Sequence, residues 1–126
     1  MVIITSNNER ELPEPFLRRC IFLYIEFPNQ AILEQIHNSH LNRPGSEDLF
    51  RKIIQKFEDL RTEMLADLRN GEQVKPPSTS ELIDWVKILR DEDEAALLQE
   101  LDYRIPYSEV LVKQWSDYVK YIKANQ

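Results

Sequence analysis

The side chains able to do chemistry gather at two points near the amino end: the amide pair Asn7-Asn8, and the arginine pair Arg18-Arg19 followed by the sole thiol, Cys20. A neutral amide both donates and accepts hydrogen bonds, so it can orient a water without adding charge. A guanidinium offers a planar fork of donors that matches phosphate or carboxylate oxygens. Each also has a plainer account. Asn is at home in turns, and arginines at a helix end are favoured by the macrodipole. Metal chemistry is not expected. His37 and His40 lie on a polar helical segment with no third histidine, and one cysteine cannot complete the four N or S ligands of a structural zinc site. Only Gly45 and Gly71 are present, so neither a GxxxxGK(S/T) loop nor a GxGxxG turn can be built within these 126 residues.

The elements that must position these groups follow from the flanking pattern. Residues 2–6, Val-Ile-Ile-Thr-Ser, are apolar and β-branched without alternation, which predicts a short strand buried on both faces of a parallel sheet. Residues 9–13 read as a loop, and Pro13 or Pro15 opens a helix of one or two turns that reaches Arg19. Residues 20–27 predict a second apolar strand, closed by Pro28.

From Asn29 onward the pattern is helical. Ile32, Leu33 and Ile36 stripe a helix running to about Leu41, and Asn42-Arg43-Pro44-Gly45 is a turn. Ser46 caps the longest helix, with Glu47 and Asp48 at its positive end and a stripe of Leu49, Ile53, Phe57, Leu60, Met64 and Leu68, widened by Phe50, Ile54 and Leu65. Gly71 stops it. Ser78 and Glu81 have capping-box spacing for a helix striped by Leu82, Trp85, Val86 and Leu89. Asp91 is expected to cap the next, bearing Leu97, Leu98 and Leu101. Ser108 is expected to cap a last helix with Leu111, Trp115, Tyr118, Val119 and Ile122 on one face. Residues 86–92 end in Asp-Glu like an acidic strand tip, but Lys87 and Arg90 give them helical spacing.

The bounds agree with a soluble domain. The chain is 42% hydrophobic and 30% charged, and its net charge of −6 disfavours nucleic acid or an anionic membrane as main partner. A lone cysteine allows no internal disulfide, no apolar run approaches the roughly 18 residues needed to cross a bilayer, and residues 1–5 lack the features of a signal peptide. A cytoplasmic location is the expectation.

The order Ile4-Thr5-Ser6-Asn7, Leu12-Pro13-Glu14, Phe16-Leu17-Arg18-Arg19-Cys20, then an apolar strand closing on Phe27-Pro28, resembles the C-terminal part of a MoxR-like AAA+ ATPase module. Residues 76–85, Pro-Pro-Ser-Thr-Ser-Glu-Leu-Ile-Asp-Trp, resemble the start of the third lid helix of that group. The resemblance implies a mainly α chain: a short two-stranded remnant of a parallel α/β AAA+ sheet in residues 1–28, followed by a helical lid in residues 29–126. It implies that Asn7 is the sensor-one residue, placing the attacking water near the γ-phosphate. Arg19 would be the arginine finger, presented to ATP on a neighbouring subunit, with Arg18 the alternative.

Two departures accompany it. The sensor-two arginine expected near the start of the third lid helix is replaced by Ser80, with Lys75 and Lys87 the nearby cations. The family's phosphate-binding loop and Mg-coordinating acidic pair precede the sensor strand, so ATP and Mg are expected for the complete module and not for this chain alone. The expected partners are self-association or the subunits of an AAA+ ring, and a client protein. The alternative reading is a non-enzymatic helical interaction module that associates with or regulates a full-length ring. The strand between the two seen here is missing, so the expectation is that they pair directly or that two copies exchange strands.

Overall fold

A computed structural model describes residues 1–6, 12–41 and 47–125. Its elements are α1 (Glu14–Arg18), α2 (Gln30–Leu41), α3 (Glu47–Arg69), α4 (Thr79–Leu89), α5 (Glu94–Tyr103), a 3-10 turn at Ser108–Val110 and α6 (Trp115–Asp117). A π-helical turn at Tyr118–Ile122 and a 3-10 turn at Lys123–Asn125 continue directly from α6. The protein is mainly α, as the periodicity predicts.

The core follows the expected stripes. Leu49, Ile53, Phe57, Leu60 and Met64 of α3 are buried, joined by Phe50 and Ile54, and they meet Leu33 of α2, Leu82, Trp85, Val86 and Leu89 of α4, and Leu97 and Leu101 of α5. Burying each such side chain contributes about 1.5–3 kcal/mol before entropy is counted. Leu68, the last residue of the α3 stripe, is exposed. α2 packs on α4 and α3, and α3 packs on α5. The α3–α5 seam is closed by Lys52, whose Nζ donates to the Leu98 carbonyl at 3.2 Å and pairs with Asp102 at 2.6 Å.

The ends of the helices are chemically specified. Gly71 takes φ +90° after α3, with its N–H donating to the Leu68 carbonyl and the Glu72 N–H to the Asp67 carbonyl, a Schellman stop. Ser78 and Glu81 form the expected capping box, the Glu81 carboxylate accepting the Ser78 N–H at 2.8 Å. The cap of α5 is Asp93, whose carboxylate accepts the Ala96 N–H at 3.1 Å, and not Asp91. The Ser46 cap lies outside the described residues.

Two expectations are corrected. Among the described residues there is no strand: residues 1–6 and 21–29 have no regular secondary structure, and no ladder of backbone hydrogen bonds joins them. The two-stranded remnant is therefore not seen, and direct pairing of the two segments within the chain is overturned. β-propensity reports fit to a pleated, half-buried surface, and these segments find no such surface among the described residues. The last helix is also broken. The backbone leaves the helix at residues 111–114 and restarts at Trp115, and the π turn then adds a residue, so one periodic face cannot persist. Leu111 and Ile122 of the expected face are buried, together with Val112 and Tyr121, and Tyr118 is partly buried against the core, while Trp115 is 70% exposed and Val119 is also exposed.

Candidate functional site

Residues 12–20 build the arginine end of the expected site. Pro13 precedes α1 and its carbonyl accepts the N–H groups of Phe16 at 3.0 Å and Leu17 at 3.2 Å, which starts the turn. Arg19 closes it in helical conformation, its N–H donating to the Phe16 carbonyl at 3.2 Å. The two arginines differ in engagement. Arg18 is paired with Glu14 one turn back, whereas the Arg19 side chain is exposed and makes no hydrogen bond or ion pair among the described residues. Among the described residues, the fork without a partner is thus the one at Arg19. Asn7 lies outside the described residues, so its position relative to Arg19 is not part of the geometry. Cys20 is a free, exposed thiol.

On both sides of α1 the chain is apolar and uncovered. Val2 is 85% exposed and Ile3 80%, while beyond α1 Ile21, Leu23 and Ile25 are each at least 80% exposed. The end of the second segment is tied to the helical body. Phe27 stacks on Phe57 of α3 at 6.1 Å, and the guanidinium of Arg61 lies 3.7 Å from the Phe27 ring centroid. Arg61 also donates to the Pro77 carbonyl at 2.7 Å. One α3 side chain therefore holds both the exit from residues 1–28 and the entry to α4. Burial lowers the Arg61 pKa from its ordinary value, with nearby Tyr24 opposing.

The place that the resemblance gives to sensor-two holds Ser80, exposed in the first turn of α4, and Lys87 is exposed on the same helix. Trp85 beside it is fully buried and donates its indole N–H to the Pro106 carbonyl at 2.7 Å. His37 and His40 fall on α2, but their side chains lie outside the description. Among the described residues no group of three or more His, Cys, Asp or Glu could hold a metal.

At the far end, Lys120 is held between Asp67 at 2.9 Å and Glu72, and the Tyr121 hydroxyl donates to Asp67. Hydrogen bonds from Tyr121 and Lys120 hold the Asp67 carboxyl below its usual range. Burial, then the hydrogen bond to Asp67, pushes the Tyr121 hydroxyl up to about 12. Asp117, a buried carboxylate, accepts the Lys75 N–H at 3.0 Å and ties the linker before α4 to the chain's end.

Sequence periodicity hid one surface. Trp115 and Tyr118, expected on a buried face, stack at 5.7 Å and 18° beside an open groove of about 600 Å³. Its walls include Val112, Glu109, Lys113 and Lys123. It lies beside the break at residues 111–114, for which the polar Lys113-Gln114 pair was the available signal.

No family model, no curated protein and no solved structure matches this chain. No helix among the described residues is long and apolar enough to cross a membrane.

Proposed function

We propose that this chain is the sensor, arginine-finger and lid part of a MoxR-like AAA+ ATPase, acting in ATP-driven remodelling of a client protein. The observation that carries the reading is the contrast between its two parts. The described residues from Gln30 onward pack a core that takes in Phe27, while residues 1–6 and 21–25 present uncovered apolar segments to either side of a short helix whose Arg19 makes no ion pair among the described residues. Continuous apolar segments of this kind fit central strands of a parallel sheet, covered on both faces once the nucleotide-binding half is present. ATP and Mg would be held by that half.

The chemistry assigned to this chain is positioning. The Asn7 amide orients a water without placing a charge beside the phosphate. The Arg19 fork reaches the transferred phosphoryl of a neighbouring subunit and stabilises charge developing there. The purified chain alone is expected to show no ATP binding by calorimetry, and stoichiometric binding with turnover would refute the division of labour. The coding sequence upstream of Met1 is expected to contain an in-frame GxxxxGK(S/T). In the protein that includes it, Arg19→Ala lowers turnover by about a thousandfold or more while ATP still binds; unchanged turnover sinks the finger assignment.

A second reading, a non-enzymatic module that caps or regulates a ring, is favoured by the self-sufficiency of the helical part. Among the described residues no buried side-chain polar atom lacks a partner. An in-frame stop codon directly before Met1 would favour it over the first.

A further inference from the structure

We infer that the groove beside Trp115 is a docking site for a linear acidic segment of a partner protein, one that carries a single apolar anchor residue. The groove lies in the carboxy-terminal segment, apart from α1 and its arginines, and none of the roles proposed above uses it.

Three features define the occupant. Trp115 is 70% exposed and stacked on Tyr118, so the platform is aromatic and rigid, and it costs little side-chain entropy to present. Large exposed aromatics next to a concavity are the residues that anchor interfaces. The groove is open and shallow, about 600 Å³ with Val112 in its wall, and offers room for one apolar side chain laid against the rings.

Charge selects what flanks that anchor. The protein carries a net charge of −6, yet Lys113 and Lys123 outnumber Glu109 around this groove. Lys123 makes no ion pair among the described residues, and Lys113 has only a long contact to Glu81 at 3.9 Å. The third nearby lysine, Lys120, is taken up by Asp67 and Glu72. One lysine without an ion pair among the described residues and one with only a long ion pair favour carboxylates here and repel basic segments. The π turn at Tyr118–Ile122 sets Tyr118 against Trp115 while burying Tyr121 and Ile122, and π turns recur at functional sites.

The test uses the whole chain and two five-residue peptides with a central phenylalanine, one flanked by aspartates and the other by lysines. Quenching of the exposed indole and NMR shifts at the Trp115 side chain read binding. The aspartate peptide is expected to saturate with a Kd below about 1 mM. Its affinity should fall at least about fivefold in the Lys113→Glu, Lys123→Glu double variant, from two screened surface attractions reversed. Trp115→Ala should abolish it with the far-UV spectrum unchanged. Equal binding of both peptides, or affinity unmoved by charge reversal, overturns the proposal. So does shift of the Trp115 signals with protein concentration alone, which would assign the groove to a second copy of the chain, or the absence of saturation by about 10 mM peptide.

Discussion

Arg61 is the side chain whose removal should loosen the exposed amino-terminal part from the helical body. In Arg61→Ala a charge-assisted hydrogen bond to the Pro77 carbonyl at 2.7 Å and a cation–π contact with Phe27 at 3.7 Å are lost together. A hydrogen bond from a charged donor contributes about 1.5–3 kcal/mol, and the half-buried setting places this one at the lower end. The ring contact adds about 0.5–1 kcal/mol. The expected destabilisation is therefore about 2 kcal/mol, a large share of the roughly 5–15 kcal/mol that holds a domain folded. Urea unfolding followed by far-UV circular dichroism reads the total, and hydrogen exchange reads where it is lost. Residues 26–29 and the turn at Pro77 should open together, because one guanidinium serves both. A double-mutant cycle with Phe27→Leu isolates the ring term, expected near 0.5–1 kcal/mol of coupling. A loss below about 0.5 kcal/mol in the single variant, or strict additivity in the cycle, refutes the account of the joint. Arg19→Ala is the control, within about 0.5 kcal/mol of the parent because the side chain is exposed and makes no ion pair or hydrogen bond among the described residues.

Two further outcomes are expected. Trp85→Phe leaves the Pro106 carbonyl without its donor and opens a void in the core, costing about 2–4 kcal/mol, whereas Trp115→Phe at the exposed platform stays within about 0.5 kcal/mol; thermal melts that rank the two alike would contradict the burial pattern. The Asp67 cluster gives stability a pH dependence at both extremes. Asp67 has its folded pKa depressed below 3.8, so its contribution is complete above that pH and is lost as pH falls through the folded value. Tyr121 is raised from 10.0 to about 12, so the folded state keeps its proton longer and stability drains away as pH rises from about 10 to about 12. Asp67→Asn should flatten the acid limb, and a limb of unchanged slope in urea titrations at different pH would remove Asp67 as its source.

Helix existence was legible because it rests on local chemistry. Gly71, the Ser78–Glu81 pair and the α3 stripe each act within a turn or two of sequence, and the structure bears them out except at Leu68. Asp93 displaced Asp91 as a cap because both are acceptors two positions apart, and only the phase of Leu97 and Leu101 against the core separates them. The last helix was misread because periodicity continues across a break that polar residues at 113 and 114 barely mark. Strand pairing was misread for a different reason: residues 2–6 and 20–27 carry the composition of buried strands, but a ladder needs an edge at the right distance, which composition does not encode. At the candidate site, Arg19 is where the helix-end pattern puts it, exposed after α1, and Asn7 falls outside the described residues. The Trp115 groove lies beside the break in the helix and could not be read from a continuous stripe.

The bare apolar segments also bear on how long this protein survives. Chaperones and proteases choose their clients by extended, uncovered hydrophobic chain, a mark that folded proteins normally hide. Here Val2 to Ile4 and Ile21 to Ile25 display that mark with the helical core fully formed. Cellular abundance would then track the supply of whatever covers them, and a chain made in excess of its cover would be cleared as though it had never folded.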